Sequence, residues 1–159
     1  MNAALSAPTT SHGDFTIDRA YDAEPQDVWA AWTDPAVKAR WFIGPEGWSL
    51  VERTLEVRVG ATEILRGRFA HNDFETLFTA RYHLVEPGAR LVYVYDMHLA
   101  GRHHSVSVAT VEFIADGART RLRFAEQVTF VDGTDGREGA ASRQRGRAAH
   151  LDRIAGCLS

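Results

Sequence analysis

The chain is poor in the features that would tie it down or anchor it. Its 159 residues include one cysteine, Cys157, so no internal disulfide can form. Ile154 and Leu158 flank that cysteine, which reads as a small apolar filler rather than a reactive thiol. No apolar run approaches the roughly 18 residues needed to span a bilayer. The first residues lack a basic stretch followed by an apolar core, so no secretory signal is expected, and the cytoplasm is the expected compartment. Lysine is nearly absent: Lys38 stands alone beside seventeen arginines. Net charge is −3, which argues against a nucleic-acid partner or an anionic membrane surface recognised by bulk charge. Nucleophile elbow, phosphate-binding glycine loop and zinc motif are all missing, and no cofactor or metal is expected.

Hydrophobic residues make up 45% and charged residues 25%, ordinary values for one globular domain. A polar tail over residues 1–13 precedes a domain over 14–159. Phe15 to Tyr21 alternates as a first strand, with Phe15, Ile17 and Arg19 on one face. Pro25 opens a helix bearing Val28, Trp29, Ala31 and Trp32, and Asp34-Pro35 breaks it. A second short helix covers Ala36 to Trp41. Strands and turns then alternate from Trp48 to Val128. One strand is expected at Leu55, Val57 and Val59, ending at Gly60. Others follow at Ile64 to Ala70, at Phe78 to Leu84, at Leu91 to Met97, at His104 to Phe113 and at Thr120 to Val128. Pro87-Gly88, Ala100-Gly101 and Asp116-Gly117 mark turns. Val106 and Val108 are out of phase with Val111 and Phe113, so a bulge near Ala109-Thr110 is expected to keep all four inside. From about Arg137 the composition turns helical, ending in an apolar stripe of Leu151, Ile154, Ala155 and Leu158. The architecture expected is α+β: a curved antiparallel sheet of about six to seven strands with a long terminal helix over it.

Several motifs in this order point to a family. Ala23-Glu24-Pro25 with Val28-Trp29 and Trp32, then Asp34-Pro35, then Trp41-Phe42, resembles the opening of the START/SRPBCC superfamily, the helix-grip fold. Val57-Arg58-Val59-Gly60, Val85-Glu86-Pro87 with Arg90-Leu91-Val92, and Gly117 with Thr120-Arg121-Leu122 continue the likeness. The nearest resemblance is to the family similar to the C-terminal domain of the Aha-type heat-shock ATPase activator. It runs from about Phe15 to Leu158. The sequence departs from that family where Ala140 replaces a frequent tryptophan after Gly139, and where Ala61 follows Gly60. The resemblance implies a cavity between sheet and terminal helix; it supplies no universal catalytic set.

The terminal helix is slight where it should be bulky. Continuing its stripe upstream gives Ala141, Gln144, Arg145 and Ala148, with Gly146 beside them. The room left above the sheet must be filled by long side chains, water or a ligand. Trp32, Trp41, Phe69, Phe78, Tyr82, Tyr93, Tyr95, Met97 and Phe124 are the candidates to line it; the plainer alternative is that they simply form the core. Glu126 alternates with Leu122 and Phe124, so it should point inward, paired with Arg143 or Arg145, or lie at a wet rim. The charged helix face with Arg137, Arg143, Arg147 and Arg153 reads as solvated. His98, His103 and His104 read as turn histidines. The expected partner is a small apolar or aromatic molecule. An enzyme using Glu126 as acid or base, a chaperone-associated module, and a homodimer through the sheet remain open alternatives.

Overall fold

A computed structural model describes residues 10–158. Seven strands, all antiparallel to their neighbours, form one sheet in the order β1-β7-β6-β5-β4-β3-β2. They are β1 (Ser11–Tyr21), β2 (Trp48–Leu55), β3 (Thr62–Phe69), β4 (Phe74–Glu86), β5 (Arg90–Leu99), β6 (Arg102–Asp116) and β7 (Arg119–Phe130). Short turns join β2 through β7 as a meander. At the β6–β7 hairpin, Gly117 takes φ 61°, which a side chain would disfavour. Residues 1–9 of the expected tail lie outside the described residues, and Ser11 to Gly13 belong to β1.

The first and second strands sit on opposite edges of the sheet, so the chain must cross between them. Helices α1 (Pro25–Thr33) and α2 (Pro35–Trp41) make that crossing. Each begins with proline at a position where the missing N–H costs nothing. Asp34 ends α1 and caps α2, its carboxylate accepting from the Ala36 N–H at 2.9 Å. Trp32 and Trp41 bury their rings together at 4.8 Å between centroids, with Phe113 and Phe124 around Trp32.

The long helix α3 (Gly136–Ile154) is capped by Asp135, which accepts from Glu138 N–H at 3.0 Å. It runs alongside β1 in the same direction. At its start a Cβ on Gly136 would collide with the His12 carbonyl, so only glycine permits the approach. Near its end, Tyr21 donates to the Leu151 carbonyl at 2.7 Å. Leu151 and Ile154 are fully buried there.

Three expectations fail, each for a physical reason. β2 spans Trp48–Leu55, and Val57 and Val59 lie beyond it, Val59 in a turn and 58% exposed. There is no bulge at Ala109-Thr110: the register of β6 with both neighbours is continuous through that point. The inward face of β6 is Ser105, Ser107, Ala109, Val111 and Phe113, while Val106 and Val108 face outward. Register irregularities occur instead at Leu50/Glu52, Tyr82/Leu84 and Met97/His98. The inner stripe of α3 is also displaced from the one expected. Ala140, Arg147, Leu151 and Ile154 are buried, whereas Ala141, Gln144 and Arg145 face solvent.

Candidate functional site

Because α3 hugs the β1 edge, it leaves the inner faces of β3, β4 and β5 without a packed helix above them. A cleft of about 600 Å³ occupies that space. Its floor is apolar: Leu65 and Phe69 from β3, Phe78 from β4, Met97 and Leu99 from β5. Its far wall is the segment after α2, from Phe42 to Pro45, with Trp48. Trp48 is fixed in place by donating to Thr76 Oγ1 at 2.9 Å and by lying flat over Gly67, where any Cβ would strike the indole. The near wall is α3 itself, through Gly139, Ser142, Arg143, Gly146, Arg147 and His150. Nothing lies within 4 Å of a Cβ built on Gly146, so this turn of the helix leaves open space.

The predicted lining residues divide into two groups. Phe69, Phe78, Tyr95 and Met97 lie on the cleft wall. Trp32, Trp41, Tyr82, Tyr93 and Phe124 are fully buried core residues behind it, and Glu126 is likewise enclosed. The residues not foreseen include Leu65 and Leu99 on the floor, Phe42 to Pro45 and Trp48 on the far wall, and the basic side of α3. Trp48 could have been found from its place just after a Gly-Pro-rich loop. The buried arginines could not be told from solvated ones by residue type alone.

Two polar networks lie beneath the aromatic floor. In the first, Glu126 is 0% exposed; its Oε2 accepts from the Tyr95 hydroxyl at 2.6 Å and from Arg143 at 3.3 Å. Arg143 also donates to Ser105 Oγ at 2.9 Å and Ser107 Oγ at 3.3 Å. This explains the small inward residues of β6: they make room for a guanidinium and accept its protons. Burial, followed by the Glu126 charge, pushes the Tyr95 hydroxyl above its usual pKa. In the second, the lone lysine is 2% exposed and bonds Glu63, also 2% exposed, at 2.8 Å. Tyr82 donates to the same carboxylate oxygen at 2.8 Å. Burial lowers the Lys38 pKa, partly offset by Glu63.

Arg147 is 5% exposed and reaches between Phe124 and Phe42, its guanidinium 4.8 Å and 5.6 Å from the ring centroids. Burial works against its charge, but Tyr93, Tyr95 and Glu126 nearby raise its pKa above the ordinary arginine value. His150 donates from Nε2 to the Ile43 carbonyl at 2.9 Å, which puts a proton on Nε2. Burial, then the Arg147 charge, pushes its pKa down to about 3. Three other histidines lie near the β5–β6 turn: His98 and His103 stack at 4.7 Å, and His104 pairs with Asp132 at 2.6 Å. No cluster of three or more metal-ligating side chains exists among the described residues.

The model of the Activator of Hsp90 ATPase homolog 1-like protein family matches residues 22–159. The chain belongs to that family. Its AHSA1-like fold is shared by the Mll3558 protein of Rhizobium loti, with 32% identity and TM-score 0.83, over 94% of this chain and 99% of that one. A protein of Rhizobium leguminosarum is 30% identical with TM-score 0.85, over 94% and 95% of the two chains. An AHSA1-like protein of Aeromonas hydrophila, 23% identical over 91% of each chain, shares the fold at TM-score 0.66. No curated protein matches the chain significantly. The expected α+β helix-grip architecture is thus the architecture of the family. No helix among the described residues is long and apolar enough to cross a membrane.

Proposed function

We infer that this AHSA1-like chain binds a small apolar or aromatic molecule in the cleft between the sheet and α3. The observation that carries this reading is the roughly 600 Å³ of space above Phe78 and Met97, where a packed helix would otherwise lie. Clefts of this size, mostly apolar with a few placed polar groups, are the usual form of small-molecule sites. Floor and near wall are held by separate devices, the strand ladder for the one and, for α3, the Asp135 cap and the Tyr21 bond. The site is therefore formed before a ligand arrives.

Catalysis by Glu126 has less support. One carboxylate oxygen is engaged by Tyr95 and Arg143, and the residue is enclosed behind the cleft wall. A chaperone-docking role would call for a contiguous exposed apolar face. The large exposed apolar side chains instead divide between the β2 end of the sheet, at Leu50, Val51 and Val59, and β6, at Val108 and Ile114. Those strands stand four places apart in the sheet.

The test is titration with the neutral fluorophore N-phenyl-1-naphthylamine, on the natural chain and on Gly146→Phe. The phenyl group would enter the open space at that helix turn. Saturable binding to the natural chain, weakened about tenfold or more in the variant, supports the reading. Equal binding by both, or none by either, overturns it. Helical content by circular dichroism controls for folding, since phenylalanine suits a helix interior better than glycine.

A further inference from the structure

The cleft is not electrically neutral. Its wall carries Arg143, Arg147 and Arg153 and a single carboxylate, Glu138, which is exposed in the first turn of α3. Beneath it, each buried carboxylate has a cation beside it, although Glu126 Oε1 has no hydrogen-bond partner of its own. Glu126 is held by Arg143 and Tyr95, and Glu63 by Lys38. Arg153 donates to the carbonyls of Trp41 and Ile43 and has no acidic partner among the described residues.

Arg147 is the residue left over. It is almost fully buried on the cleft wall, its Nε has no hydrogen-bond partner, and no described carboxylate lies within ion-pair distance. A buried guanidinium that keeps its charge is costly unless something neutralises it, and the aromatic faces of Phe42 and Phe124, with the more distant Glu126 charge that Arg143 already pairs, supply only part of that. A planar donor group on the wall of a cleft with an apolar floor is suited to a carboxylate or sulfonate.

Resting on the binding role inferred above, we propose that the ligand is an amphiphilic organic anion, whose apolar or aromatic body lies on Phe78, Met97 and Leu65 and whose acidic head pairs with Arg147. Arg147 is then the residue that selects charge, and the β3–β5 floor selects shape. The same arrangement excludes a cationic ligand, which would face an unmatched guanidinium in a site of low polarity.

The experiment compares two probes sharing one aromatic skeleton: N-phenyl-1-naphthylamine and its sulfonated counterpart, 8-anilinonaphthalene-1-sulfonate. The natural chain should bind the sulfonate about tenfold or more tightly than the neutral amine. Arg147→Met should erase that preference by weakening the sulfonate, with the neutral probe held within about threefold, and Arg147→Lys should retain part of it. If the neutral probe saturates and the sulfonate gains nothing, the anion assignment is wrong while the cleft remains a binding site. If neither saturates, the binding role fails and the anion assignment with it. Should Arg147→Met not fold, the ratio of the two probes on the natural chain decides the matter.

Discussion

Acid should loosen this fold through one histidine on the cleft wall. His150 sits against Trp41 and Phe42, donates to the Ile43 carbonyl, and is held neutral by burial and by the Arg147 charge, with its pKa near 3. In the unfolded chain it titrates near 6.5. Its folded pKa is therefore depressed, and between the two values the unfolded chain binds the extra proton. The stability tied to the neutral ring is fully present above pH 6.5 and is lost as pH falls toward 3. Each pH unit in that window costs about 1.4 kcal/mol, so at about pH 4.5 the natural chain should have lost roughly 2.7 kcal/mol from this group alone. His150→Gln keeps a side chain able to donate to Ile43 but cannot titrate. Urea unfolding followed by tryptophan fluorescence, at pH 7 and at about pH 4.5, measures the difference. The natural chain should weaken with acid by about 2–3 kcal/mol more than the variant. The same acid dependence in both proteins would refute the assignment of a buried neutral ring.

Four further outcomes are expected. All four tyrosines, Tyr21, Tyr82, Tyr93 and Tyr95, have pKa values raised by burial, so stability should fall as pH climbs above 10, and tyrosinate absorbance should rise only together with loss of the far-ultraviolet circular dichroism signal. Ionisation preceding unfolding would contradict this. Lys38→Met should cost about 3–5 kcal/mol by stranding the buried Glu63 carboxylate, and Lys38→Met with Glu63→Leu should recover a large part of the loss; additive losses in chemical denaturation would show the two are not coupled. Gly146→Ala should stabilise by about 0.8–1 kcal/mol, raising the melting temperature by roughly 2–4 °C, because the new methyl meets open space; an unchanged melting temperature would contradict it. Gly67→Ala should destabilise the protein and release Trp48, read as a red shift in its emission; unaltered emission would mean the indole does not lie over that glycine.

Much of the fold was legible because its punctuation is local. Pro25, Asp34-Pro35 and the glycine turns act through backbone preferences that need no knowledge of distant residues. The site was half legible, since side chains there break the usual relation between polarity and position. On β6, Val106 and Val108 look like core residues and Ser105 and Ser107 like surface ones. The structure reverses them because Arg143 needs inward hydroxyls. On α3, shifting the stripe by one residue exchanges Ala141, Gln144 and Ala148 for Ala140, Arg143 and Arg147. No periodicity argument prefers an arginine on the inner face. Only the buried carboxylate of Glu126 and the aromatic faces of Phe42 and Phe124 make that placement tolerable. The one signal available was Glu126, whose inward phase demanded a cation from the helix above.

Nuclear magnetic resonance of the tryptophan indole N–H groups, during titration with N-phenyl-1-naphthylamine, locates the ligand directly. Trp48 lines the cleft and donates to Thr76, whereas Trp29 packs on Phe113 away from it. The Trp48 signal should shift in a saturable way while Trp29 stays still. A Trp29 shift larger than that of Trp48, or no saturable shift at all, would contradict a ligand site between the sheet and α3.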